Sequence, residues 1–230
     1  MKASIHKLMK INIYSNRKES KILINKISEN NKAYPGLLYN IYDRPKILYV
    51  LGNMENLKGN CISIVGSRNP TNIGKIITEK IAYKLAINGN IIVSGLANGI
   101  DTYAHIGALK AHGKTIAVLP KSLDKIYPLN NRKLAIEILK NEGTIISEYD
   151  FFDKVNKNNF SYRNRIISGL SMSTIIVEAR KNSGTLVTAN FALDQGRNVC
   201  VVPGNITELN YEGSNDLIKE GAEIFNLNML

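Results

Sequence analysis

From residue 61 onward the chain alternates short runs rich in Val and Ile with segments whose apolar residues recur every three or four positions, and few folds accept that order. The runs Cys61–Val65, Asn90–Ser94, Lys114–Leu119, Thr144–Glu148, Thr174–Glu178 and Asn198–Val202 are apolar at successive positions, as strands covered on both faces must be. Between them Gly74–Asn88, Asp101–His112, Asn131–Asn141 and Leu186–Gln195 read as helices. In the first, Ile77, Ile81, Leu85 and the stem of Lys84 supply the apolar spacing. Gly89, Gly113, Gly143 and Gly196 follow these helices, where a left-handed C-terminal cap favours glycine. Strand, helix, glycine, repeated, predicts an α/β fold: a doubly wound, mostly parallel sheet with helices on both faces.

Residues 1–33 read differently, as a short basic N-terminal appendage with one helix expected around Lys18–Ser28. The main domain is expected to run over residues 34–230, with Tyr34 to Gly59 as an extended, turn-rich lead-in. The net charge of +11 favours polyanions as partners. It is unevenly spread: residues 1–60 carry 11 Lys and Arg against 4 Asp and Glu, a net +7, and residues 61–230 carry 19 against 15, a net +4. Binding by the main domain must therefore come from local placement of charge. No apolar run approaches the length that spans a bilayer, and Lys7 and Lys10 interrupt the N-terminus, so a cytoplasmic protein without membrane association is expected. Cys61 and Cys200 fall in strand runs and read as buried, inert thiols.

In an open parallel sheet, ligands bind beyond the carboxyl ends of the strands. Four loops at that edge are rich in Gly and small polar residues: Gly66–Gly74, Ser94–Asp101, Ala179–Thr185 (with Ser183 and Gly184), and Pro203-Gly204-Asn205. Amides at helix N-termini favour anions, and Arg68 and Arg180 add fixed charge at the same rim. Gly66 is followed by Ser67 and Arg68 rather than the spacing of a dinucleotide fingerprint, and no Walker lysine follows any loop, so no cofactor is implied. Phe160 to Ser171 places an aromatic ring, Arg163, Asn164 and Arg165 ahead of an apolar helical run; guanidiniums can fork onto phosphate while a ring stacks a base. Asp101 reads as a helix N-cap with His105 a satisfied surface or groove residue, and Glu148 and Glu178 as strand-end carboxylates able to orient an arginine. His6, His105 and His112 lack metal-ligand neighbours, and no catalytic residue is assigned.

From Tyr34 to about Phe225 these motifs resemble the DNA-processing protein A (DprA/Smf) family. The resemblance is carried by Tyr34-Pro35, Asp43-Arg44-Pro45, Ile64-Val65-Gly66-Ser67-Arg68, Ser94 to Asp101, Tyr127-Pro128, Ser147-Glu148, Arg163-Asn164-Arg165, Ser183-Gly184-Thr185 and Gly213-Ser214-Asn215. It implies a Rossmann-like domain that binds single-stranded DNA without established chemistry, protects incoming strands in natural transformation, helps load the RecA recombinase, and forms a homodimer. By that likeness Ser67, Arg68, Phe160, Arg163 and Arg165 would lie on DNA, with the Gly66 and Gly184 loops supplying amides. The loop Leu119-Pro120-Lys121-Ser122 departs from the family, which has glycines where Pro120 and Ser122 stand; Pro120 removes a donor and Lys121 adds a charge. A related fold hosts the "lonely guy" nucleotide phosphoribohydrolases, but Thr188 stands where their catalytic Glu would be. A nucleotide-binding module in the same groove is the remaining alternative.

Overall fold

The computed structural model describes residues 24–154 and 156–226. The chain opens with β1 (Ile24–Ser28), the short α1 (Gly36–Tyr39) and β2 (Ile47–Gly52). Then come β3 (Cys61–Val65), α2 (Asn72–Ile87), β4 (Ile91–Ser94), α3 (Ile100–Lys110), β5 (Thr115–Val118), α4 (Arg132–Lys140) and β6 (Thr144–Ser147). Two short helices, α5 (Asn158–Tyr162) and α6 (Asn164–Gly169), lead into β7 (Ser173–Ile176), α7 (Gly184–Asp194), β8 (Asn198–Val201), α8 (Glu212–Lys219) and β9 (Glu223–Ile224). The strands form one sheet in the order β1-β2-β6-β5-β4-β3-β7-β8-β9. All pairs from β6 to β9 are parallel; β2 joins β6, and β1 joins β2, antiparallel.

The expected doubly wound α/β architecture is therefore present, with each of the six expected strands within a residue or two of its place. The six are short and almost wholly buried because helices cover both faces. On one face α2 and α3 lay Ile81, Ala82, Leu85, Ala104 and Ala108 over Ile64, Ile92 and Ile175. On the other, α6, α7 and α8 bring Ile166, Ile167, Ala189, Ala192 and Leu217 against Val65, Ile176 and Val201. Cys61 and Cys200 are free and buried, and burial pushes the Cys61 thiol up to about 12, which fits inert packing.

Two expectations at the N-terminal side are corrected. Ile24–Ser28, placed within a helix by its sequence, is a strand registered Ile24 to Leu51 and Ser28 to Ile47; the rest of the expected helix lies outside the described residues. The lead-in is also more than a connector, because Ile47–Gly52 is a buried strand against β6. The helix caps differ in detail too. Gly89 and Gly196 adopt positive φ as expected, but after α3 and α4 the left-handed residues are His112 and Glu142, one position earlier than the glycines. Gly113 and Gly143 are there for space: a Cβ at Gly113 would meet Ala86 Cβ at 2.6 Å, and one at Gly143 would meet Ile138 Cγ2 at 2.6 Å.

Candidate nucleic-acid interface

β3 is where the strand order reverses: the chain builds outward from it to β6 on one side, then returns to lay β7 on the other. The loops leaving β3 and β7 part at that point and open a crevice beyond the carboxyl ends of the strands. A cleft of about 360 Å³ occupies it, walled by Gly66, Ser67, Arg68 and Asn69 after β3, Ala97 and Asp101 after β4, and Arg180, Ser183, Gly184 and Thr185 after β7. Phe160, Ser161, Arg163 and Asn164 close the remaining side. Ten of the twelve expected site residues thus share one wall-to-wall space; Lys121 and Arg165 do not line it. Pro203-Gly204-Asn205 does not reach the cleft. Gly204 instead exchanges hydrogen bonds with the Asn215 side chain at 3.3 and 3.1 Å. The place of that loop is taken by α5.

Internal carboxylates already occupy two of the three glycine-rich loops. Glu178, fully buried, accepts from Thr71 N (3.1 Å), Thr71 Oγ1 (2.5 Å) and Asn210 Nδ2 (2.9 Å). Thr71 Oγ1 in turn accepts from Gly74 N at the start of α2 (2.9 Å). Glu178 therefore orients a helix end rather than an arginine. Asp101 accepts from Gly95 N (3.0 Å) and Ala97 N (3.3 Å), so it folds the second loop back on itself from inside α3, where Gly99 is the cap residue. Burial raises the Asp101 carboxyl above its usual range although the Arg163 charge and its amide donors oppose the rise. Gly99 is required here: its φ is +83°, and a Cβ would run into the carbonyls of Ser67 and Arg68. The helix end left open to the cleft is that of α7, at Gly184 and Thr185, where a helix has amides without intrahelical partners.

The arginines divide. Arg68 is exposed, with no ion-pair partner among the described residues; Arg180 is exposed and steadied by Nε donating to Asn210 Oδ1 at 2.6 Å. Arg163 and Arg165, expected to fork onto phosphate, are turned inward with only 4% and 2% of their surface exposed, and that expectation is corrected. Arg163 Nη1 donates to Gly95 O (2.8 Å) and to Val118 O, and Nε to Asn164 Oδ1 (3.1 Å), so it ties together the carboxyl ends of β4 and β5. Burial lowers its pKa to about 10, so at neutral pH it still puts a positive charge beneath the cleft. Arg165 pairs through both terminal nitrogens with Glu148 (2.7 and 3.2 Å) and lies over the Tyr162 ring at 3.8 Å. Its Nε is 3.1 Å from Asp43 Oδ2 but off the N–H axis, a charge contact rather than a hydrogen bond. Glu148 does orient an arginine as expected, one that clamps α6 to β6 and the lead-in.

Phe160 and Lys121 meet at the cleft's edge. Tyr127, part of the Tyr127-Pro128 motif but not among the expected site residues, packs edge-to-face on Phe160 with centroids 5.3 Å apart. Lys121 Nζ sits 4.5 Å from the Tyr127 ring and 5.8 Å from the Phe160 ring. An ammonium over ring faces is held by the ring quadrupole without being neutralised. The altered loop therefore contributes its charge here and not inside the cleft.

His105 is not a surface or groove residue but fully buried. Thr115 Oγ1 donates to Ile92 O (2.6 Å) and so accepts from His105 Nδ1–H (2.7 Å), leaving Nε2 without a partner. Burial, with the Arg163 charge adding to it, pushes this imidazole down to about 3. The unfolded chain takes up the proton near its ordinary ~6.5, so the stabilising contribution is whole above that pH and is lost as the pH falls toward the folded value. The slope within that window is about 1.4 kcal/mol per pH unit. Asp101, shifted up, works in the opposite sense. His105→Asn should therefore lose less stability than the parent chain in urea denaturation between about pH 7 and about pH 5; equal losses contradict the assignment.

The family model for DNA recombination-mediator protein A matches residues 25–229. The chain belongs to that family. The DNA processing protein DprA of Bacillus subtilis is 43% identical over 201 residues, covering 87% of this chain and 67% of the relative. Protein Smf of Synechocystis is 41% identical over 202 residues, and there the chain spans half of the relative's length. The fold agrees with DNA processing protein A of Streptococcus pneumoniae at TM-score 0.82 and 38% identity, covering 88% of this chain and 71% of that one. It agrees with DNA processing protein A of Helicobacter pylori, whose structure concerns its single-stranded DNA binding mode, at TM-score 0.80 and 35% identity, covering 90% and 93%. Thr188, and not a glutamate, lines the cleft at the position a phosphoribohydrolase reading would need. Among the described residues no helix is long and apolar enough to cross a membrane.

Proposed function

We propose that this chain is a single-stranded DNA-binding recombination mediator that holds the strand in the cleft at the carboxyl edge of the sheet. The observation that carries the reading is the convergence in one space of exposed Arg68 and Arg180, the open N-terminus of α7 and the Phe160 ring. Phosphates would sit on Arg68, Arg180 and the amides of Gly184 and Thr185, with Ser67, Asn164 and Ser183 as neutral neighbours. Bases would lie against Phe160, and Lys121 would meet the strand as it leaves. Arg163 and Arg165 act from within, one as buried charge and one as a clamp. The Helicobacter pylori relative supports the reading by its described single-strand binding. Strand protection, RecA loading in natural transformation, a homodimer and a cytoplasmic location complete the proposal; no catalytic step is assigned to the cleft.

The test is anisotropy of labelled oligo-dT against a duplex of equal length across a salt series. With about three cationic contacts the single-strand log affinity should fall with log salt at a slope of about −2. Weak, equal binding to both forms overturns the proposal and leaves a small nucleotide as the ligand of the cleft.

A further inference from the structure

Beside the first cleft, across the Phe160–Tyr127 contact, lies a second one of about 390 Å³ between α4, the loop that follows β5, and the strands β2 and β6. Its floor is apolar, formed by Leu51, Leu123, Ile126, Ala135, Leu139 and Ile145. Its rim carries Lys121, Lys125 and Arg132, with Tyr127 and Leu129 at the mouth. The carboxylate on the lining, Asp124, accepts from Ser122 Oγ at 2.5 Å. The size falls in the range of about 300–1,000 Å³ typical of small-ligand pockets. We infer that this second cleft is a nucleobase slot that takes a further nucleotide of the same strand, and the inference rests on the first cleft holding single-stranded DNA.

Continuity decides the occupant. Phe160 walls the first cleft, Tyr127 and Lys121 wall the second, and the three side chains form one cluster: the rings meet edge-to-face with centroids 5.3 Å apart, and Lys121 Nζ lies 4.5 and 5.8 Å from the Tyr127 and Phe160 ring centres. A strand that stacks on Phe160 meets Tyr127 next, with the Lys121 ammonium within about 6 Å of both ring centres to receive the intervening phosphate. Beyond it an apolar floor under a cationic rim offers what a nucleotide needs: a face for the base and charge for the phosphodiester. A free apolar ligand would find the three cations useless. A duplex could not enter, because its bases are stacked and paired. The exposed Leu129, 76% accessible at the mouth, is a natural edge for a base to slide under.

The test is a length series of oligo-dT from ~4 to ~16 nucleotides, the span of known single-strand site sizes, on the whole chain. Leu129→Glu places a repelling charge at the mouth, and Ile136→Trp, at a half-buried lining residue on α4, fills the slot. Both should match the parent on the shortest oligonucleotide that binds and lose about tenfold on the longer ones, the worth of one stacked base. Leu129 is exposed, so that variant stays informative if Ile136→Trp fails to fold. Parent-like affinity at every length overturns the slot alone, provided Arg68→Glu still weakens binding by about a hundredfold. Equal loss at every length also overturns it, because the slot would then belong to the first contact. A parent chain that binds no oligonucleotide overturns the underlying reading, and the slot with it.

Discussion

Arg68→Glu is expected to weaken single-stranded DNA binding by about a hundredfold while leaving the fold intact. The residue is exposed at the mouth of the cleft and has no internal ion pair among the described residues, so its removal strands no buried group. A hydrogen bond to a charged partner contributes about 1.5–3 kcal/mol, which is roughly tenfold to a hundred and fifty-fold, and reversal adds repulsion toward the same phosphate. The salt dependence should flatten by about one contact as well. Anisotropy titrations beside circular dichroism check both effects. Unchanged affinity in a folded Arg68→Glu chain would move the strand out of this cleft.

The second large effect is on stability. Arg165→Ala removes a guanidinium that is paired with Glu148, faces Asp43 and lies over Tyr162. Both carboxylates would remain partly buried without their counter-charge, and breaking such a pair costs about 3–5 kcal/mol when it is fully enclosed. Asp43 is about a third accessible, so the lower end, about 3 kcal/mol, is the expected loss. For a chain of this length that is a fall of about 6–12 °C in melting temperature. DNA affinity, measured well below the transition, should change far less than in Arg68→Glu. A variant with wild-type stability and lost DNA binding would restore Arg165 to the DNA surface and contradict its role as a clamp.

That contrast marks where the sequence was legible and where it was not. The alternation of Val and Ile runs with helical spacing gave the central strands, because a strand covered on both faces must be apolar at every position. The cleft was legible in outline, since glycine-rich loops after β3, β4 and β7 are forced to the same sheet edge by parallel topology. The direction of Arg163 and Arg165 was misread, though a signal was available. Residues two apart on a helix do not face the same way, and the run through Ile166, Ile167 and Leu170 is apolar around its circumference, as an interior helix is. Their partners, Gly95, Val118, Asp43 and Glu148, come from distant parts of the chain and only the fold brings them close. Glu178 and Asp101 are a similar case: nothing local distinguishes a carboxylate that fills a loop's amides from one that awaits a ligand. β2 was hidden because its run Ile47–Leu51 lies between the turn signals Asp43-Arg44-Pro45 and Gly52, so it read as a connector.

The most direct test of where the strand lies is photocrosslinking with oligo-dT carrying 5-iodo-deoxyuridine, followed by mass spectrometry of the adducted peptides. The cleft assignment predicts adducts on the peptide that contains Phe160, and their loss in Arg68→Glu. Adducts confined to residues 1–33, with Phe160 unmodified, would place the DNA on the basic N-terminal segment and contradict the assignment.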